Sequence, residues 1–224
     1  MTDNRSSEPP QQRLTKIEIE AIRLAFVKWQ TPEKLYNQFD KIADKIGTLN
    51  FFNQSGLTVL RDAYVASIFA LTQNSERVRL IEDRWPDFEI ENDQATNKYE
   101  IVEAFEPNRL RGEEYRLNAN RVVFDPVENW IARAEAAPIW IEVACKKKAA
   151  KNYSEKVGLV VYLSLCEFGI RQTEVESCFG KATEILKDKF SSVWVLWNES
   201  AYLLWSNGQS VSLTSFKLQK RRAF

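Results

Sequence analysis

Trp85-Pro86-Asp87-Phe88-Glu89-Ile90, followed by Tyr99-Glu100-Ile101-Val102-Glu103-Ala104, decides how this chain is read. Both pieces read as short apolar strands, and both carry acids where a strand prefers Val or Ile. A carboxylate on a half-buried strand is costly to desolvate, so it takes a partner: a cation, a hydrogen-bond donor or a metal ion. The segment between them, Asn92-Asp93-Gln94-Ala95-Thr96-Asn97, is turn-rich and suits an antiparallel hairpin. Asp87 and Glu100 are then expected to meet at the edge of one sheet. Two carboxylates converging from adjacent strands suit a hard divalent cation such as Mg2+. Without a metal, Asp87 is a turn aspartate after Pro86 and Glu100 the acidic half of an ion pair.

The rest of the composition narrows the chemistry. The chain has 224 residues, 44% of them apolar, enough for one sizeable domain or one domain with a helical appendage. Its 31 basic and 31 acidic residues cancel, so no global charge draws it to nucleic acid or to an anionic membrane. Any polyanion site has to be a local basic patch. Histidine is absent. That removes His general acid–base chemistry, most zinc sites and every Ser-His or Cys-His nucleophile. An enzyme built from this chain must run on carboxylates, lysines, cysteines, tyrosines or a hard metal. Cys145, Cys166 and Cys178 are widely spaced in apolar contexts and read as buried, reduced thiols. The polar stretch 1–12 reads as a disordered leader without a signal-peptide core, and no apolar run is long enough to span a membrane. A cytoplasmic protein is expected.

Beyond the leader, residues 13–75 read as a helical region. Its first helix runs from about Leu14 to Gln30 behind a cap at Thr15, its second opens at Thr31-Pro32-Glu33 and stops at Gly47, and its third covers about 57–71. Residues 76–212 read as an α/β core and 213–224 as a basic tail. In the core, three short strands are followed by an irregular stretch over 105–124. A helix then opens at Asp125-Pro126-Val127-Glu128 and runs towards Tyr153, kinked or split by Pro138. The nearly uninterrupted apolar run Gly158–Leu165 predicts a central strand covered on both faces. A further helix through 175–190 and two strands over 193–197 and 201–205 complete the core.

This order of helix, three strands, helix, central strand, helix and strand resembles the PD-(D/E)XK superfamily, the restriction-endonuclease-like nucleases. Pro86-Asp87 on the second strand and Glu100 on the third carry the likeness, with the basic helix end Lys146–Tyr153 leading into the apolar strand. The resemblance covers roughly Glu76 to Trp197. It implies an α/β fold with a restriction-endonuclease-like core, a mixed central sheet flanked by helices. It also implies a Mg2+- or Mn2+-dependent phosphodiesterase acting on DNA, active or degenerate. In such nucleases the two acids bind the metal, and a lysine two residues after the second acid orients or activates the attacking water.

Here that position is Val102. Alternation along a strand puts Lys98, Glu100 and Val102 on one face, so Lys98 is one replacement. Lys146 or Lys147 on the following helix is another. Glu89 shares the face of Asp87 and is a third candidate ligand, and Glu103 joins the site only through a bulge. Arg109, Arg111, Arg116 and Arg121, with Lys147 and Lys151, are candidates for phosphate contacts. Their bland reading is a solvated loop and a helix C-terminus complementing its dipole. The tryptophans read as core or interface residues. A non-catalytic protein on the same scaffold, binding a protein or nucleic-acid partner through the helical region or the Trp-rich end, is the alternative.

Overall fold

The computed structural model describes residues 12–82, 85–107, 113, 116, 126–153, 155–165 and 171–217. Three helices open the chain: α1 Lys16–Phe26, α2 Pro32–Asn53 and α3 Thr58–Thr72. Thr15 and Glu18 form a reciprocal capping box at the start of α1, and Pro32 opens α2 behind a Thr31 cap. Gly47, at φ 68° and ψ 165°, interrupts α2 without ending it. The expected stop is therefore a break, after which the helical path resumes to Asn53.

Seven strands follow: β1 Arg77–Leu80, β2 Phe88–Asn92, β3 Ala95–Ala104, β4 Gly158–Leu163, β5 Ser192–Trp197, β6 Ser200–Ser206 and β7 Gln209–Lys217. They lie in one sheet in chain order, with β3–β4–β5 parallel and every other neighbour antiparallel. Helix α4, Val127–Ala149, joins β3 to β4, and α5, Gln172–Thr183, joins β4 to β5.

Each face of the sheet is covered by its own helical layer. Leu35, Leu60, Phe69, Phe88, Ile101 and Val160 belong to the core beneath α1–α3. Trp140, Ile141, Leu159, Val161, Phe179 and Trp197 belong to the core beneath α4 and α5. Val160 and its neighbours Leu159 and Val161 face opposite layers, which is why β4 lacks polar alternation. At its start, Gly158 lies under the Tyr99 ring, where a side chain would meet Tyr99 at 2.4 Å.

Three sequence expectations change. Pro138 sits inside one continuous α4, because a proline removes a single backbone hydrogen bond while Ala134, Ala137 and Ile141 hold the helix to the sheet. Helix α5 ends at Thr183 and passes into a short 3-10 turn, Glu184–Leu186. A seventh strand runs through residue 213, where a basic tail was expected to begin. Most of the stretch 105–124 falls outside the described residues, as do Cys166 and the last seven residues. No helix among the described residues is long and apolar enough to cross a membrane.

Candidate functional site

Strand β2 starts at Phe88 opposite Tyr99, while β3 continues through Glu100 to Ala104. The mismatch leaves a notch where β2 turns away. Asp87 sits in it: its backbone N–H donates to Tyr99 at 3.0 Å, and its carboxylate Oδ2 accepts from the Ile101 N–H at 2.6 Å. The side chain thus extends the ladder by one bond, which holds the carboxylate against the Glu100–Ile101 backbone.

Glu100 is 3% exposed and pairs with Lys148 Nζ, itself buried, from α4. Burial pushes the Glu100 carboxyl above its usual range and the Asp87 charge adds to the rise, while Lys148 and Lys151 oppose it. The Asp87 and Glu100 carboxylates are therefore near enough for one charge to act on the other. Tyr153, just beyond α4, is held above the ordinary phenol value by burial and then by the Glu100 and Asp87 charges. Its ring stacks on Trp85 with centroids 5.8 Å apart.

The opposite side is built by α3. Arg61 pairs with Asp62 at 2.8 Å and reaches Glu103 at 3.4 Å. Burial raises the Asp62 carboxyl, Arg61 opposes this, and the Asp87 charge raises it further. Asp62 and Asp87 line a cleft of about 330 Å³ together with Glu20, Arg23, Thr58 and Glu82. Glu103 remains on the α3 side rather than turning towards Glu100, as strand alternation requires.

The structure thus brings Asp87 and Glu100 together and supplies a lysine, but not one of those expected. Lys98 turns to Glu155 at 2.7 Å, in an exposed pair away from Glu100. Lys146 lies on the outer face of α4 within 3.9 Å of Glu142, and Lys147 is exposed. Lys148 reaches inward because it extends the stripe of Ile141, Ala144 and Cys145 at helical spacing, a signal the sequence did carry. Nothing in the sequence pattern marks Asp62, or Tyr153 beyond its place at the end of the basic helix, as neighbours of these acids.

Glu89 is buried but engaged with Arg79 at 2.8 Å on the neighbouring strand. An R79M variant is expected to lose stability, since it leaves a buried carboxylate without its cation, at a cost of about 3 kcal/mol. Denaturant melts test this, and any activity that depends on Asp87 should persist. Arg116 pairs with Glu113 at 2.5 Å in an exposed position, while Arg109, Arg111 and Arg121 lie outside the described residues. Lys151 is exposed yet close enough to Glu100 to act on its charge. Burial pushes the Cys145 thiol up to about 12 and the Cys178 thiol to about 11, so neither is a nucleophile near pH 7. Among the described residues no group of three or more His, Cys, Asp or Glu is arranged to hold a metal. Comparison with known proteins finds no matching family model, no matching curated protein and no matching solved structure.

Proposed function

We propose that this chain is a divalent-metal-dependent phosphodiesterase acting on DNA, on a restriction-endonuclease-like core whose usual strand lysine is replaced by one from a helix. The convergence of Asp87, Glu100 and Lys148 at the β2–β3 notch carries the reading. The neighbouring mixed sheet, with its antiparallel β1–β2–β3 meander and parallel β3–α4–β4 crossover, supports it.

The donor set suits a hard cation: two carboxylates offer oxygen ligands and leave room for water and phosphate oxygens, as Mg2+ or Mn2+ requires. A cation bound there supplies charge stabilisation on the phosphate and acidifies water. The protein's own groups do the rest. Asp87 is immobilised by the Ile101 amide, so its carboxylate is presented in one orientation. Glu100 stands against the rigid centre of the sheet. Asp87 and Glu100 would hold the cation, and Lys148, paired with Glu100, would stand beside it as an ammonium donor able to orient a water or a phosphate oxygen. Lys151, exposed, adds positive charge within reach of Glu100.

The test is plasmid nicking with Mg2+ and Mn2+, alongside titration calorimetry of both ions with and without DNA. Wild type should nick, and D87N and E100Q should lose about 10²-fold or more, the scale of removing a group that acts in the transition state. Wild type that neither nicks nor binds metal in the presence of DNA overturns the reading.

One observation favours the alternative, a non-catalytic scaffold that binds a partner. Lys148 already neutralises Glu100, so the pair needs no metal to be stable.

A further inference from the structure

The carboxyl ends of the parallel strands β4 and β5 hold a cavity of about 510 Å³, walled by Tyr64 and Ile68 of α3 and by Tyr162, Leu165 and Leu196 of the strand ends. That volume lies within the range of small-molecule sites, and strand carboxyl ends are where α/β sheets commonly take ligands. The cavity is separate from the notch. Glu100 pairs with Leu159 near the start of β4, and Leu163 lies four residues farther along, roughly 13 Å away. The topology creates the space. From β4 the chain passes to α5 in the opposite layer, while β5 turns straight back into β6 through Asn198 and Glu199.

Two rings and one charge set its chemistry. Tyr64 and Tyr162 meet edge to face with centroids 5.9 Å apart, and both line the cavity. Of the described residues that line it, only Glu199 is charged. Glu199 sits exposed in the two-residue turn at φ 58°. Among the described residues it forms no ion pair, although Lys217 stands opposite its neighbour Ser200. Its charge reaches the rings instead. Burial, then Tyr162, then Glu199 hold the Tyr64 phenol above its usual value, and burial, then Asp40, then Glu199 do the same for Tyr36. The aromatic wall thus stands in negative potential, which disfavours phosphate and favours a cation. A cation over a tyrosine face gains from the ring quadrupole, and alkyl groups on that cation gain from the apolar floor of Ile68 and Leu196.

We propose that this cavity binds an alkylated ammonium group, held against Tyr64 and Tyr162 and neutralised by Glu199. The site stands whether or not the notch cleaves DNA.

The test is titration calorimetry of choline chloride into the full chain, with sodium chloride as the reference. Wild type is expected to give a saturable isotherm that sodium chloride does not. E199Q should weaken it by about threefold to tenfold, the scale of losing one ion pair at an exposed rim. E199G is the more telling variant. Glycine suits the left-handed turn, so its Tm should equal or exceed that of wild type while choline binding falls as in E199Q. Y64F should bind as wild type does, because the ring rather than the hydroxyl makes the contact, and Y64L should not. Wild type without a saturable isotherm at tens of millimolar choline overturns the proposal, as does E199G that binds choline as tightly as wild type. Binding of thymidine monophosphate in place of choline overturns it too, and marks the cavity as a nucleotide site.

Discussion

The variant K148M is expected to lose about 3–5 kcal/mol of stability, the cost of stripping the partner from a buried charge. In a chain of this length that lowers Tm by roughly 6–20 °C. Glu100 is 3% exposed in the presence of Lys148, so replacing Lys148 by an apolar side chain leaves the carboxylate in a buried site without its cation. E100Q should also be damaging, because it strands the ammonium. The double variant E100Q/K148M should recover most of the loss, leaving a coupling energy of several kcal/mol in the double-mutant cycle. Additive losses would mean that the pair is not coupled and that the notch is held in some other way.

The pH dependence of K148M has a definite sign. The folded-state pKa of Glu100 lies above its ordinary 4.5, chiefly through burial and then through Asp87. A raised pKa means that the folded protein keeps a proton the unfolded chain has lost. This contribution is fully present below about pH 4.5 and disappears as pH rises through the raised value. Removing Lys148 takes away the strongest influence that holds the carboxyl down, so the penalty in K148M should grow between pH 5 and pH 8. Melting curves of wild type and K148M across that range check it. A gap in Tm that is constant with pH would show that Glu100 does not become an uncompensated charge.

Much of this architecture was legible because it follows from short-range rules. The capping box at Thr15 and Glu18, the proline start of α2 and the two-sided apolar run of β4 each state their role in a few residues. The nearness of Asp87 to the Glu100–Ile101 segment was legible for the same reason, since a turn-rich linker between two acid-bearing strands leaves few registers. The lysine was not. Choosing among Lys146, Lys147 and Lys148 needs the phase of α4, and the phase shows only when Lys148 is counted as part of the apolar stripe of Ile141, Ala144 and Cys145. A lysine on an apolar stripe is itself a signal of a buried partner. Strand β7 was missed because its exposed serines and the basic residues beyond it look like a tail; what makes it a strand is pairing with β6, which lies outside any local pattern.

The position of the lysine also yields the sharpest functional expectation. Val102 and Glu100 lie on the same face of β3, and Val102 packs at the border of the core beneath α4, the layer that supplies Lys148. A lysine at 102 therefore enters the notch from the strand, while Lys148 enters it from the helix. K148M is expected to lose nicking activity by about 10²–10⁴-fold, the range for losing a group that positions or transfers a proton. Adding V102K to K148M should restore a large part of that loss, and should restore stability as well, because the buried carboxylate regains a cation. K148M must be assayed below its own melting range so that unfolding is not counted as lost chemistry. Rescue of stability without rescue of nicking would assign Lys148 to folding alone. Rescue of both would mean that the site needs an ammonium group beside Glu100 and is indifferent to which element delivers it.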